Sequence, residues 1–247
     1  MKNNKILALW ATPRSTSTAF ERMMRERGDF LVFDEPFGLS FFYSEERRNT
    51  TRYPDIELNP KYNFGSILEQ LKQETQKQPV FIKDMGRFVT HIADQYFLSH
   101  FTNTFLIRNP AKSLPSLFAI WPDFTLQEAG YAELYQIFQK TQEITGKLPI
   151  VIDSDDLVQK PEATVKTYCN AVGIPFIKEA LEWDSIVQPE INQWEGTWHS
   201  DVQSSQGFKE RKNKKYVSIE DNEYLKQAYE SCLPYYQKLY EHRLVIG

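Results

Sequence analysis

Lys5-Ile6-Leu7-Ala8-Leu9-Trp10, followed by Ala11-Thr12-Pro13-Arg14-Ser15-Thr16-Ser17-Thr18-Ala19-Phe20, decides the fold. The first six residues are mostly apolar and predict a short buried strand. The next few are small, polar and cationic. Phe20-Glu21-Arg22-Met23-Met24-Arg25-Glu26 then has helical composition. A strand, a hydroxyl-rich turn and a helix in that order form a phosphate-binding geometry. The first N–H groups of the helix face the turn, and the helix dipole favours an anion there. Ser15, Thr16, Ser17 and Thr18 add hydroxyl donors, and Arg14 adds a planar cationic fork. The plainer alternative is a helix capped by Ser or Thr.

The common nucleotide loop, G-x-x-x-x-G-K-[ST], needs two glycines and a lysine. No glycine occurs from Lys5 to Arg27, and the turn has no lysine. The motif that follows the strand is therefore of another kind.

Outward from this stretch, strands alternate with helices. Strands are predicted at Phe30–Phe33, Pro79–Met85, Thr104–Ile107 and Leu148–Ile152. Helices are predicted at Phe64–Gln78, from Phe88 through Phe97 (with His91 on it), from Pro110, at Thr125–Thr145, at Pro161–Val172 and at Glu220–His242, with a helical turn at Glu179–Trp183. The alternation implies parallel βαβ units. Gly38–Tyr62 is irregular, rich in aromatics and arginines, with a short helix expected around Leu39 to Arg48. Such a loop often covers a binding site.

At 247 residues the chain suits one α/β domain with a substantial core. With 41% apolar and 14% aromatic residues it is not disordered by composition. A net charge of −4 argues against a broad nucleic-acid or anionic-membrane surface. An anionic nucleotide therefore needs a local positive site. Cys169 and Cys232 sit in helical, apolar patterns and read as buried reduced thiols. His91, His100, His199 and His242 are scattered, so no metal site is expected. No apolar run approaches a membrane span and no leader is evident, so a cytoplasmic protein is expected. Oligomeric state is not readable.

Functional groups gather at the predicted strand ends: Arg14 with its hydroxyls, Asp34 and Glu35, Lys83, Arg108, and Asp153-Ser154-Asp155-Asp156. In a parallel sheet these ends share one edge, where ligands bind.

Pro13-Arg14-Ser15-Thr16-Ser17-Thr18 resembles the 5′-phosphosulfate loop of the sulfotransferases, often P-R-S-G-S-T, with Thr16 where glycine is frequent. Arg108-Asn109-Pro110 through Ser116 resembles that family's 3′-phosphate motif, R-[DN]-P-x-x-x-x-x-S. Asp153-Ser154-Asp155-Asp156-Leu157 with Lys160-Pro161-Glu162 is similar to its Y-E-D-L…P-E segment, Ser154 standing where tyrosine often stands. Asn170-Ala171-Val172-Gly173-Ile174-Pro175 looks like its L-G-I-P helix end. The resemblance covers roughly residues 5 to 176.

It implies a single domain over residues 1–247 with a three-layer, P-loop-like α/β fold: a central parallel sheet flanked by helices. Residues 38–63 would form a substrate-covering loop and 192–218 a donor-closing loop. The implied activity is transfer of a sulfuryl group from 3′-phosphoadenylyl sulfate (PAPS), without a metal, to a hydroxyl or amine of a small-molecule acceptor. No nucleic-acid or membrane partner is implied. Donor-binding residues would be Pro13, Arg14, Ser15, Thr16, Ser17, Thr18, Arg108, Ser116 and Ser154. The family's late R-K-G loop has its nearest match in Lys209–Lys215, giving Arg211 and Lys212. Trp198, His199, Ser204 and Ser205 precede it and are expected to close over the donor. Animal-type members carry a histidine after the third strand, where this chain has Met85. Glu35, in Asp34-Glu35-Pro36, then resembles the glutamate base of bacterial-type members, with Asp34 as competitor. Arg14 would stabilise developing charge, and Lys83 would contact the sulfuryl group or acceptor. Asp155 and Asp156 are expected to cap the helix or hold neighbouring loops, a structural role. Two other readings remain at this stage: a P-loop-like kinase of a small hydroxyl compound, and a non-catalytic nucleotide-binding protein.

Overall fold

The computed structural model describes residues 5–184, 207–208 and 215–247. Its centre is a parallel sheet of β1 (Ile6–Ala11), β2 (Leu31–Asp34), β3 (Val80–Met85), β4 (Phe101–Ile107) and β5 (Ile150–Asp153), in spatial order β2-β3-β1-β4-β5. β1 and β3 are buried along their whole length, as the near-continuous apolar runs of a doubly covered parallel sheet require.

The helices are α1 (Ser17–Glu26), α2 (Pro36–Tyr43), α3 (Phe64–Glu74), α4 (Gly86–Val89), α5 (Gln95–Ser99), α6 (Pro110–Phe118), α7 (Leu126–Ala129), α8 (Tyr131–Thr145), α9 (Ser154–Gln159), α10 (Pro161–Val172) and α11 (Glu223–Tyr240). They flank the sheet on both faces, and register shows how. Leu9 lies beside Lys83, and Trp10 beside Asp84. Successive strand residues face opposite sides. On one side Phe20 of α1 packs on Phe81 and Tyr168, with ring centroids 6.2 and 5.0 Å away. On the other, Trp10 meets Phe37 of α2, Phe97 of α5 and Phe101. Its indole N–H donates to Asn103 Oδ1 at 2.8 Å, so this large buried side chain leaves no orphaned donor.

Several local expectations are corrected. The helix expected across 125–145 is broken at Gly130, whose φ of 75° ends α7 and begins α8. Thr125 and Glu128 form a capping box that gives α7 its own start. The helix expected from Phe88 through Phe97 is two short pieces, and His91 lies between them. The helix in the aromatic segment begins at Pro36, immediately after Glu35. Asp153 caps α9, accepting from the Asp155 N–H at 2.8 Å, while Asp155 and Asp156 hold neighbouring segments through Lys112 and Arg243. The turn before Trp183 is a 3-10 turn at Lys178–Leu181, and the terminal helix starts at Glu223. Cys169 and Cys232 are buried and unbridged, as expected. Among the described residues no helix is long and apolar enough to cross a membrane.

The connection from β1 runs to β2 on one side, and that from β4 runs to β5 on the other. The crevice between the carboxyl ends of β1 and β4 is therefore the sheet's switch point, where open α/β sheets bind ligands.

Candidate active site at the carboxyl edge of the sheet

The loop after β1 is held in an uncommon backbone shape. Arg14 has φ 63° and Thr16 φ 72°. Left-handed conformations cost L-residues roughly 1–2 kcal/mol, and for a β-branched residue they are outliers. Contacts hold the shape: Ser15 Oγ donates to Thr12 O at 2.7 Å, and Thr16 Oγ1 lies 2.6 Å from Ser154 Oγ, just past β5. Ser15 is fully buried. Ala19 and Phe20 donate the first intrahelical bonds, both to Thr16 O. The amides ahead of Ala19 thus precede the helical ladder and present the positive end of α1 to the loop.

The end of β4 closes on this loop. Arg108 Nη1 donates to Arg14 O at 2.7 Å, and Arg14 Nε donates to Ser116 Oγ at 3.0 Å. Ser116 Oγ donates onward to Tyr216 at 3.2 Å. The Arg108 backbone is pinned by Tyr131, whose hydroxyl donates to Arg108 O at 2.7 Å and shares a 2.6 Å hydrogen bond with Ser113. The result is a cleft of about 650 Å³, lined by Thr16, Arg108, Ser116, Ser154 and Tyr216 among others. Lys112 at its edge pairs with Asp155 at 2.8 Å. A cleft lined by Arg108 and several hydroxyls, with Arg14 bonded to its wall at Ser116 and a helix N-terminus beside it, suits a ligand with more than one phosphate-like group.

Two strands away, acids converge on one buried lysine. Lys83 is fully buried; its Nζ pairs with Asp34 and with Glu35 Oε1 (2.7 Å), and lies 3.6 Å from Glu21 Oε2. Register explains the meeting: Asp34 and Lys83 are direct neighbours on the face that α1 covers. Burial, and then Asp34, lift the Glu21 carboxyl to about 8, which favours its protonated form. One proton thereby offsets part of the excess negative charge of three carboxyls around one ammonium. Burial also raises the Glu35 carboxyl above its ordinary value, opposed by Lys83. The Lys83 ammonium is held above its ordinary value by Asp34, Glu35 and Glu21 despite its burial.

Glu35 is, after Arg14 and Thr16, the third non-glycine residue with positive φ (45°) among the described residues, held by a short bond from its N–H to Lys83 O (2.7 Å) ahead of Pro36. Its side chain is 11% exposed. Oε1 accepts a hydrogen bond from Lys83 Nζ, and Oε2 has no hydrogen-bond partner among the described residues. Asp84, next to Lys83, points to the opposite face and accepts from the Phe37 and Met85 N–H groups at 2.8 Å each. This fixes the start of α2 and the end of β3.

The structure thus brings Arg14, Ser15, Thr16, Arg108, Ser116 and Ser154 to one crevice, with Pro13, Ser17 and Thr18 in the same loop and helix start. Glu35 sits on the same sheet edge, with Lys83 buried behind it. Arg211, Lys212, Trp198, His199, Ser204 and Ser205 lie outside the described residues. Three contributors escape motif reading. Glu21 looks like an ordinary helix-surface acid. Tyr216 adjoins the late basic run, which is its one signal. Arg87 follows the third strand end by two residues.

Among family models, the Sulfotransferase domain matches residues 4–242. Branched-chain-amino-acid aminotransferase-like protein 2 of Arabidopsis thaliana is 29% identical over 248 residues, 96% of this chain and 42% of the relative. Sulfotransferase ppzF of Metarhizium rileyi (strain RCEF 4871) is 26% identical over 233 residues, 82% of this chain and 65% of the relative. The chain spans less than half of the plant relative. Among solved structures, the sulfotransferase domain of the Synechococcus PCC 7002 olefin synthase is 14% identical, with TM-score 0.48, covering 94% of this chain and 95% of that one. The sulfotransferase domain from the curacin biosynthetic pathway is 16% identical, with TM-score 0.46, covering 72% and 77%.

Proposed function

Because the chain belongs to the sulfotransferase domain family, we propose that it transfers a sulfuryl group from PAPS to a hydroxyl or amine of a small-molecule acceptor. The observation that carries this reading is the pairing of two anion-binding elements at one crevice. The Pro13–Thr18 turn heads α1, and Arg108 and Ser116 are tied to it through Arg14. In this reading the turn and the N-terminus of α1 hold the 5′-phosphosulfate. Arg108 and Ser116 take the 3′-phosphate, and Arg211 and Lys212 add to that site. Ser154 reaches the donor from the far wall through its contact with Thr16.

Glu35 is the proposed base. β2 and β1 are two strands apart, about 10 Å, which leaves room for a sulfuryl group and an acceptor hydroxyl between the donor loop and Glu35. The acceptor O–H proton passes to Glu35 as its oxygen bonds to sulfur. The bond from sulfur to the bridging oxygen breaks, and its electron pair leaves with adenosine 3′,5′-bisphosphate. Arg14 and the amides of α1 stabilise the charge that grows on that leaving group. Lys83 acts through Glu35, keeping its carboxylate ionised and oriented. The alternative kinase reading lacks support in the turn, which has neither the lysine nor the glycines of nucleotide loops.

The test is thermal stability with adenosine 3′,5′-bisphosphate. At a hundred times its Kd the ligand adds about 2.7 kcal/mol, a rise of about 5–11 °C for a chain of this size. Arg108→Ala removes a charge-assisted contact of about 1.5–3 kcal/mol, and cuts that rise by half or more. A rise with magnesium-ATP and none with the bisphosphate would favour the kinase instead.

A further inference from the structure

Arg87 is a buried cation that the proposed chemistry leaves unused. Its residue is 5% exposed, and its guanidinium carbon lies 4.4 Å from the ring centroid of Phe88, 5.5 Å from that of Phe41 and 5.6 Å from that of Phe42. Rings occupy the faces of a guanidinium; its five N–H donors lie in the plane and still need acceptors. Among the described residues Nε is buried without a hydrogen-bond partner and no ion pair reaches Arg87. The acids that sense its charge are committed elsewhere or remain apart. Glu128 is held by Arg52 at 2.6 and 2.7 Å, and Glu35 by Lys83 at 2.7 Å. Burial pulls Arg87 down to about 10, against the more distant pull of Glu128, Glu35 and Glu133.

This side chain lines a pocket of about 350 Å³ together with Phe41, Arg48, Thr90, His91 and Glu133. Arg48 is a second cation on its lining, and His91 beside them is held below its ordinary pKa, by burial first and by Arg48 second. Glu133 shares it, with Oε2 buried and lacking a hydrogen-bond partner, and burial raises its carboxyl. Arg87 itself links the pocket to the proposed reaction centre. A methyl group built on Gly130 would lie 3.8 Å from both Arg87 Cβ and Pro13 Cδ, so Arg87 flanks the donor loop. Phe41 and Phe42 belong to α2, which starts at the residue after Glu35.

On the reading of this chain as a sulfotransferase, we infer that its acceptor carries an anionic oxo-group, carboxylate or phosphate-like, that seats on Arg87 in this pocket with Arg48 at the rim. The ligand's anion supplies in-plane acceptors that the described residues do not, its apolar part lies against Phe41, and Glu133 takes a neighbouring donor. This orients the reacting hydroxyl between Glu35 and the donor loop.

The test is calorimetric binding to the protein saturated with adenosine 3′,5′-bisphosphate. The probes are 4-hydroxyphenylacetate, 3-hydroxybutyrate and 4-hydroxybenzylphosphonate, each against its neutral methyl ester. At least one anion should bind wild type tenfold or more tightly than its ester, and the best probe separates carboxylate from phosphonate. Arg87→Met, which keeps the apolar stem, should bring anion and ester within threefold; Arg87→Lys should keep part of the preference. Both variants should bind the bisphosphate as wild type does. The inference is overturned if every anion lies within threefold of its ester in wild type, or if a preference survives Arg87→Met. It is also overturned if Arg87→Met weakens PAPS and not the anion, which would assign Arg87 to the sulfuryl group. Failure of wild type to bind the bisphosphate would instead defeat the sulfotransferase reading itself.

Discussion

Replacing Glu35 with glutamine separates the proposed base from everything around it. A positioned general base contributes about 10²–10⁴-fold, or about 2.7–5.5 kcal/mol of barrier. The fold should tolerate the change. Lys83 keeps Asp34 and Glu21, so no buried ammonium is orphaned, and a glutamine carbonyl can still accept the 2.7 Å bond from Lys83 Nζ. Glu35 stands two strands from β1, so affinity for adenosine 3′,5′-bisphosphate should stay within about threefold, on the scale of distant, independent sites. The assay is release of the bisphosphate from PAPS over a panel of hydroxy-acid acceptors, followed against pH. Glu35 must be ionised to accept a proton, and burial lifts its pKa. Wild-type kcat/KM should therefore rise with pH through that raised value. The variant should lose 10²-fold or more in kcat, in line with a lost base, and lose this acid limb. Turnover within threefold of wild type would refute the assignment. An acid limb that survives in Glu35→Gln and disappears in Asp34→Asn would move the base to Asp34.

Two further expectations concern the architecture behind the site. The Glu21 carboxyl is raised to about 8 in the fold from an ordinary 4.5, so the native state binds the extra proton between those values. Stability from this group is full below about 4.5 and is lost as pH rises toward 8; a Tm profile over that range should fall in wild type and flatten in Glu21→Gln. Gly86 heads α4 against α8, and a methyl group there would meet Leu134 Cδ1 at 3.0 Å and Leu134 Cα at 3.2 Å. Gly86→Ala should cost about 1–3 kcal/mol, the range for overpacked cores, read as a shift in the urea midpoint; an unchanged midpoint would show that α8 moves aside freely.

How much of this is legible in the chain varies with the range of the interactions. β1, β3 and β4 announce themselves as apolar runs ending in charged or hydroxyl groups, and their parallel pairing follows from the intervening helices. Pro110, Pro161 and Gly173 punctuate helices by local backbone chemistry, and the structure places them at two helix starts and one left-handed helix end. Gly130 is harder: helical composition continues on both sides, and only the capping box at Thr125 and Glu128 hints at two helices. Thr16 stands where similar loops have glycine, and its φ of 72° retains the glycine-like backbone while its hydroxyl turns toward Ser154. The lysine–acid cluster is the least legible part. Its members come from α1, the end of β2 and β3, and nothing in Lys83-Asp84 says that one side chain faces three acids while its neighbour caps the opposite helix. Arg87 is hidden for the same reason, since an arginine two residues past a strand reads as solvated until its surroundings are known.

The most direct measurement of the central claim is a crystal structure of the protein with adenosine 3′,5′-bisphosphate. The account predicts the 5′-phosphate on the Pro13–Thr18 turn at the head of α1, and the 3′-phosphate between Arg108 and Ser116. A nucleotide bound away from the β1–β4 crevice, or bound there with its 3′-phosphate contacting neither Arg108 nor Ser116, would contradict it.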